Sequence, residues 1–156
     1  MSTQNLKSGT DFEAVQDHNL LQWMTFNLAE EVYGLDVMNI KEVLRHTEIS
    51  PVPGAPPYVL GIINLRGNVV TVIDARTRFG LDTAEVTDDT RIVVIETDAE
   101  TIGIMVDSVS EVIYLKESEI EPPPNVGSDE MSHYIKGVCN RDDTLIILIN
   151  LHDMVS

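Results

Sequence analysis

The alternation of apolar and polar residues predicts that this chain is built from short β-strands. From position 20 onward, apolar runs with a period of two, or apolar on both faces, are bounded by turn-forming residues. The pattern predicts extended segments over residues 20–28, 32–37, 61–66, 69–74, 90–96, 101–106, 109–115, 134–140 and 144–150. The segment 109–115 is also compatible with a brief helix. Residues 1–18 are polar without periodicity, and we expect them to form a mobile tail.

A few helical turns are predicted between the strands. Ile40, Val43 and Leu44 have the i, i+3, i+4 spacing of one helical face, so residues 38–44 are expected to make one or two helical turns. Shorter helical turns are expected over residues 75–79 and 151–155, and proline-rich loops over 51–57 and 122–132.

The clearest local pattern is a hairpin around Gly67-Asn68. Glycine at the first central position of a two-residue loop is typical of a type II′ turn. We therefore predict that residues 61–66 pair with residues 69–74, with Gly67-Asn68 as the turn and Arg66 at its shoulder.

An internal repeat relates the first part of the chain to the second. Gly34 and Glu42 recur as Gly103 and Glu111, both at an offset of 69 residues. Further matches keep the same order at offsets of 71 and 76 residues: Ile49, Pro51 and Pro53 with Ile120, Pro122 and Pro124; Gly61, Asn64 and 69–74 with Gly137, Asn140 and 145–150. One such match could arise by chance, but four ordered blocks indicate a duplication.

The repeat predicts the domain organisation. We expect two homologous halves of about five strands each, over residues 20–80 and 90–155, joined by an acidic linker over 81–89. A half of that size would be marginally stable alone, so the halves should bury apolar faces against each other. The predicted fold is all-β, with two small β-barrels packed into one unit.

Composition agrees with a β-protein and narrows the possible partners. The chain has 18 Val and 15 Ile against 6 Ala, and β-branched residues favour strands. Its net charge of −16 argues against binding to a nucleic-acid backbone. Residues 41–91 carry six bases and seven acids, whereas residues 92–156 carry three bases and thirteen acids. A functional cation should therefore be sought in the central part of the chain.

The cysteine content and the termini favour a cytoplasmic protein. Cys139 is the single cysteine, which excludes an internal disulfide. The N-terminal segment lacks the apolar core of a signal peptide. The longest apolar run, Leu145–Ile149, is too short to span a bilayer.

No catalytic, metal or cofactor site is predicted. The histidines are dispersed, and none has metal-ligand spacing to another histidine or to the cysteine: His18, His46, His133 and His152. The chain has no phosphate-binding glycine loop and no nucleophile elbow. Cys139 lies within a predicted strand, where a buried structural thiol is the simpler interpretation than a nucleophile.

Arg66 is the strongest candidate for recognition. Aligned on the flanking strands, Arg66-Gly67 occupies the position of Asp142-Asp143 in the second half. A requirement of the fold would tend to be met similarly in both copies. Arginine also suits bidentate contact with carboxylates or amides. The alternative, a surface arginine at a hairpin end, remains open.

Other candidate residues have structural interpretations. Glu42 recurs as Glu111, which favours a shared structural role. Ile40 and Val43 are interpreted first as core residues, although part of their face could be exposed in a groove between the halves.

Several segments of the chain resemble the CheW-like coupling proteins of bacterial chemotaxis. The resemblance is carried by YGLDVMNIKEVL (33–44), PVPGAPPYVLGIINLRGNVVTVIDARTRFG (51–80), IGIMVDSVSEV (102–112), EIEPPP (119–124) and IKGVCNRDDTLIILIN (135–150). It covers the predicted domain over 19–155. It implies two five-stranded SH3-like barrels around a shared core.

The resemblance also implies a function. CheW-like domains are non-catalytic adaptors that link the cytoplasmic tips of chemoreceptors to the histidine kinase CheA at membrane-associated receptor arrays. The family binds receptors in a groove between subdomains, which by position would include Val37, Ile40, Glu42, Val43, Gly61, Arg66, Gly67, Gly103 and Val112. The kinase contact would draw mainly on the second barrel.

Two alternatives remain open on the sequence. The chain could couple a different receptor–kinase array, such as one that controls surface motility or pili. More remotely, it could be a small barrel that binds a metabolite or catalyses a carboxylate-dependent reaction, for which no motif argues.

Overall fold

The chain is almost entirely extended in the part that the computed structural model describes, residues 20–123 and 134–150. The strands in these ranges are β1 Leu20–Leu28, β2 Glu31–Asp36, β3 Ile40–Arg45, β4 Val59–Leu65, β5 Asn68–Asp74, β6 Arg91–Glu96, β7 Thr101–Val106, β8 Ser108–Lys116, β9 Ile135–Arg141 and β10 Thr144–Ile149. The helical elements are α1, Ala75–Arg78, and 3₁₀ turns at Val37–Asn39 and Glu117–Glu119. The all-β prediction is confirmed. The predicted tail over 1–18, most of the proline-rich loop and the predicted helix over 151–155 lie outside the described residues.

These strands form two five-stranded sheets with the same internal order. Sheet A has the order β8-β1-β2-β10-β9, and sheet B has the order β3-β6-β7-β5-β4. Each strand of sheet A has its counterpart in sheet B five strands away along the chain, so that β8, β1, β2, β10 and β9 correspond to β3, β6, β7, β5 and β4. This arrangement is the one that a duplicated sequence produces.

The two halves of the chain exchange strands. Sheet A joins β1 and β2 of the first half to β8, β9 and β10 of the second, and sheet B is the reciprocal combination. The sheets therefore differ from the predicted division, in which residues 20–80 and 90–155 would each form a barrel. Equivalent strands carry the same apolar pattern, so the sequence does not distinguish a partner in the same half from one in the other. Pairing of β1 with β8, and of β2 with β10, decides the arrangement.

The buried apolar side chains of the described residues form three clusters. The central cluster joins both sheets and contains a series of aromatic rings, Phe26, Tyr33, Phe79 and Tyr134, with successive centroids 5.6, 5.5 and 5.6 Å apart. The other two clusters each lie within one sheet: Trp23, Ile113, Leu115, Cys139, Ile146 and Leu148 in sheet A; Ile63, Val70, Val72, Ile92 and Val94 in sheet B. The central cluster therefore joins the two barrels, because apolar side chains of both sheets pack there.

The helix predicted over 38–44 is wrong, because residues Ile40–Arg45 form strand β3. The helical geometry is confined to the 3₁₀ turn at Val37–Asn39. Strand β3 pairs with β6, and a bulge shifts its register between Ile40 and Glu42. A bulge inserts one residue into a strand, so apolar positions on either side of it acquire a spacing that resembles a helical face. Residues 109–115, whose pattern also allowed a brief helix, likewise belong to a strand, β8, which pairs with β1.

The β4–β5 hairpin forms as predicted, but its turn differs in position and type. Leu65 lies opposite Asn68, so the two loop residues are Arg66 and Gly67. Their φ angles are 51° and 87°. Positive φ at both central positions is typical of a type I′ turn, whereas type II′ was predicted. The side-chain oxygen of Asn64 accepts the Gly67 N–H at 2.9 Å. Strand pairing and the Asn64 contact therefore place the turn one residue earlier than predicted.

A two-bond ion pair links α1 to the start of β8. Arg76 Nε and Nη2 donate to the two carboxylate oxygens of Asp107 at 2.8 and 2.6 Å. Asp107 also accepts the Ala29 N–H at 2.8 Å, and Arg76 Nη1 donates to the Asp82 carbonyl at 3.0 Å. Ala29 lies between two strands of sheet A, while α1 follows β5 of sheet B. Arg76 therefore connects both sheets to the segment 81–89, which contains no helix or strand.

Because Arg76 donates to its carboxylate, the pKa of Asp107 lies below its ordinary value, against the opposing effect of burial. A depressed pKa in the folded state stabilises the fold above the unfolded-state pKa of about 4. That stabilisation is lost as the pH falls through the folded-state value.

We expect Asp107→Asn to lower the free energy of unfolding at pH 7 by about 2 kcal/mol, because it weakens charge-assisted hydrogen bonds between the sheets. The difference between variant and wild type should shrink as the pH falls below about 4, because the stabilisation is lost once the unfolded chain binds a proton at Asp107. Urea unfolding at pH 7 and pH 3 measures both effects. Asp98→Asn, at an exposed turn position, is the matched control. A difference that does not depend on pH would contradict the assignment.

We expect Tyr33→Phe to leave the fold as stable as the wild type, or to raise its free energy of unfolding by about 1 kcal/mol. The Tyr33 hydroxyl is buried without a hydrogen-bond partner, and burial together with Glu31 raises the pKa of Tyr33 to about 12. Removing this hydroxyl removes an unsatisfied polar group from the central cluster. Thermal unfolding measures the effect, with Tyr114→Phe on the surface as the control. A large loss of stability in the Tyr33 variant would reveal a hydrogen bond.

Candidate functional site

The residues predicted for a receptor groove concentrate on sheet B. Strand β3 carries Ile40, Glu42 and Val43, β4 carries Gly61, the following turn carries Arg66 and Gly67, and β7 carries Gly103. Val37 begins the 3₁₀ turn before β3, and Val112 lies on β8 of sheet A. Two elements that are distant in sequence, β3 and the β4–β5 turn, thus supply the polar members of the set.

Arg66 forms an ion pair with Glu42. Arg66 Nη2 donates to Glu42 Oε2. Strands β3 and β4 are the two edges of sheet B, so this pair joins the edges where the sheet curls into a barrel. The Arg66 side chain is 65% exposed and that of Glu42 is 25% exposed. Exposed ion pairs add little stability, so the main effect of Glu42 is to orient a guanidinium group that still faces solvent.

The equivalent turn of sheet A shows that the backbone does not require an arginine. Asp142 and Asp143 have φ angles of 51° and 66°, so both turns place two consecutive residues in the left-handed region. One barrel therefore presents Arg66-Gly67 on this turn and the other presents Asp142-Asp143. This contrast supports the interpretation of Arg66 as a recognition residue.

Glu42 and Glu111 occupy equivalent positions but make different contacts. The backbone N–H and carbonyl of Glu111 bond to the hydroxyl of Thr25 at 3.0 and 2.9 Å. Glu111 lines a cleft together with Asp142 and Arg141. The shared role predicted for the two glutamates is thus limited to their place on an edge strand, because the side-chain ion pair belongs to Glu42.

The apolar members of the predicted groove differ in exposure. Val37 and Ile40 are half-buried and pack against the central cluster. Val43 and its repeat counterpart Val112 are 39% and 44% exposed. The interpretation of Ile40 as a core residue agrees with this packing, whereas Val43 presents apolar surface to solvent.

The glycines of the set act through the backbone. Gly61 has a φ of 147°, and a Cβ there would lie 2.1 Å from the carbonyl oxygen of Ser50. A Cβ at Gly103 would lie 2.8 Å from Ile92 Cγ2. Gly67 has open space around it, and its contribution is the positive φ of the turn. Gly61 and Gly103 are therefore packing residues of the barrel.

A cleft of about 330 Å³ opens beside Arg66 at the end of the sheet B barrel. Lys41 and Val69 line it, and sequence analysis did not single out either residue. Lys41 lies 3.8 Å from a carboxylate oxygen of Glu96, and Val69 is an exposed apolar residue. Met38, on the 3₁₀ turn, is more exposed still. The apolar pattern gave no signal for Val69 or Met38, because it does not tell which apolar residues remain uncovered.

The described residues bear on two other kinds of site, a cysteine nucleophile and a metal centre. Cys139 is buried as predicted, and burial raises the pKa of its thiol, which disfavours the reactive thiolate. Residues 20–123 and 134–150 contain no group of three or more histidine, cysteine or acidic side chains placed to hold a metal ion. No helix within these ranges has the length and apolar character needed to cross a bilayer.

Comparison with known proteins gives the same family from sequence and from structure. The family model for the CheW-like domain matches residues 22–156. The chemotaxis protein CheW of Treponema pallidum is 32% identical over 147 residues, which cover 92% of this chain and 86% of that protein. CheW of Bacillus subtilis is 34% identical over 127 residues, or 81% of each chain.

A solved structure supports the fold independently. The crystal structure of the scaffolding protein TtCheW from Thermoanaerobacter tengcongensis matches with a TM-score of 0.79 and 40% sequence identity. The match covers 86% of this chain and 91% of that one. With a family model that matches residues 22–156 and relatives in sequence and in structure over most of its length, this chain belongs to the CheW-like family of chemotaxis scaffolding proteins.

Proposed function

We propose that this chain is a non-catalytic adaptor that couples the cytoplasmic tips of chemoreceptors to the histidine kinase CheA. It would act in the cytoplasm, recruited to membrane-associated receptor arrays. The observation that carries the proposal is the asymmetry between two equivalent barrel ends in a chain of this family. One end presents the exposed Arg66 and the other presents Asp142 on the same turn.

The receptor would contact the sheet B side of the molecule. Val43 offers exposed apolar surface on β3, and the half-buried Val37 and Ile40 lie nearby in sequence. An apolar ridge of a receptor helical hairpin would pack against this surface. Arg66 would then add a charged contact that sets the register, since charge complementarity contributes more to specificity than to affinity.

Glu42 would act by positioning Arg66. A free arginine side chain loses considerable rotamer freedom when it binds, and an ion pair that holds it beforehand reduces that loss. The pair would therefore improve receptor binding while adding little to the stability of the fold.

The kinase would contact the other barrel, sheet A. Tyr114 and Leu145 are exposed there, on strands of the acidic second half of the chain. Separate surfaces for the two partners would let one adaptor hold both. Signal transfer then requires only different contacts with two receptor states, because the adaptor performs no reaction.

We expect Arg66→Glu to lower receptor affinity at least tenfold while CheA binding and the thermal midpoint change little. The substitution places a second carboxylate beside Glu42 and reverses the charge offered to the receptor. Co-sedimentation with receptor fragments and CheA, together with thermal unfolding, measures these effects. Lys116→Glu on sheet A makes the same change in net charge away from Arg66 and is the matched control for receptor affinity. Wild-type protein that brought neither partner down would contradict the function itself.

A charge exchange separates recognition from positioning within the fold. Glu42→Arg combined with Arg66→Glu restores an ion pair with reversed ends. We expect the double variant to keep the thermal midpoint of the wild type and still to bind the receptor weakly, because the exposed end would then be negative. Recovery of full receptor affinity would show that the pair acts through the fold alone. Titration calorimetry with a receptor fragment gives the affinities.

A further inference from the structure

Two arginines lie opposite each other at the far end of β3 from the 3₁₀ turn. Arg45, the last residue of β3, pairs directly with Arg91, the first residue of β6. Side chains of directly opposed residues in antiparallel strands project from the same face, and like charges in such a pair are destabilising. The arrangement is unexpected in a chain with 10 basic and 26 acidic residues.

The two arginines line one open cavity. It has a volume of about 580 Å³, and His46 and Asp88 line it as well. Arg91 Nη1 donates to the carbonyls of Asp88 and Thr90 at 2.8 and 2.9 Å, which holds the guanidinium in place. Arg91 Nε and Nη2 take part in neither of these bonds. Arg45 is exposed and has no ion pair within the described part of the chain.

The repeat supplies an internal comparison. The residues of sheet A that correspond to this pair are Gln22 and Tyr114, which lie opposite each other in β1 and β8. The same strand geometry is therefore built without any charge at these positions. The fold therefore does not require the two arginines, which leaves them available for contact with a partner.

We propose that Arg45 and Arg91, assisted by His46, form a docking site for a carboxylate-bearing segment of a protein partner. Each guanidinium group offers a planar pair of donors that matches a carboxylate, and an anion between the two would offset their repulsion. A short acidic segment fits better than a polyanion such as a nucleic acid, because acidic residues dominate the rest of the chain and would repel an extended negative charge. Charges beyond about 8 Å are screened at physiological salt, so a local contact escapes that repulsion.

This site adjoins the proposed receptor surface, because Val43 lies two residues before Arg45 on the same face of β3, but its residues and its tests do not involve Arg66. Arg45 is three residues along β3 from Glu42, a separation of roughly 10 Å in an extended strand. A failure of the predictions for Arg66 therefore leaves this proposal standing, and the converse also holds.

Arg45→Gln tests whether the arginine pair serves binding or the fold. We expect the thermal midpoint to rise by about 1–3 °C, because the substitution removes repulsion without removing any hydrogen bond. Lys116→Gln, which removes an equal charge from sheet A, should leave the midpoint closer to that of the wild type. A fall in the midpoint of the Arg45 variant would overturn the proposal by showing that Arg45 stabilises the fold.

Binding is tested by titrating the full chain with an acetylated and amidated Glu-Glu-Glu peptide while its amide resonances are recorded. We expect shifts at Arg45, His46 and Arg91 with a dissociation constant on the order of millimolar, as suits a small exposed contact. Arg45→Gln should weaken this binding at least fivefold, and Lys116→Gln should not. Arg91→Lys, which keeps the charge but loses the planar fork, should also weaken it.

Two further probes identify the ligand class. A Gln-Gln-Gln peptide should produce no shifts at these residues, and inorganic phosphate should produce smaller shifts than the acidic peptide at equal concentration. Shifts of equal size with phosphate would overturn the choice of a carboxylate segment. Absence of shifts with the acidic peptide, or equal binding by Arg45→Gln, would overturn the site.

Discussion

Pairing between the two halves of the chain is the constraint on which the rest of the structure depends. Strand β1 pairs antiparallel with β8 over most of its length, and β2 pairs in parallel with β10; β3 with β6 and β5 with β7 repeat these relations in sheet B. Neither half can form its sheet alone, because each sheet takes two strands from one half and three from the other. The central apolar cluster, with side chains from both sheets, then follows from this exchange.

The duplication also explains how one fold can present two different surfaces. Equivalent turns with the same backbone carry Arg66-Gly67 in sheet B and Asp142-Asp143 in sheet A, and equivalent strand positions carry Arg45 in one sheet and Tyr114 in the other. Positions that pack remain similar, as Gly34 and Gly103 do, where a Cβ would lie 2.9 Å from Leu148 and 2.8 Å from Ile92. Differences between the copies thus mark the surfaces available for partners, while shared residues mark the requirements of packing.

Much of the fold followed from local pattern, and the errors have identifiable causes. Alternation located the strands, and the repeat correctly indicated two similar units. The turn at Arg66 shifted by one residue because a glycine fits either of two hairpin turns, and cross-strand pairing with the Asn64 contact chose between them. The helix predicted around Val43 failed because a β-bulge at the start of β3 changes the spacing of apolar residues. Gly61 was expected to permit close packing or a turn, and its close approach to the Ser50 carbonyl shows that it is a packing residue.

The sequence by itself determined that the chain is a duplicated β-protein, that six of its ten basic residues lie in the central segment, and that Arg66 has an acidic counterpart in the repeat. Those features are local: alternation, charge and the comparison of two copies depend on residues near each other or at a fixed offset. The tertiary structure alone decided which strands pair, that Arg66 meets Glu42 across the barrel edge, and that Arg45 meets Arg91. These contacts join residues 24 and 46 positions apart. Equivalent strands with the same apolar pattern could pair in more than one way, and only the pairing between the halves in the folded chain decides which sheets form and share one core.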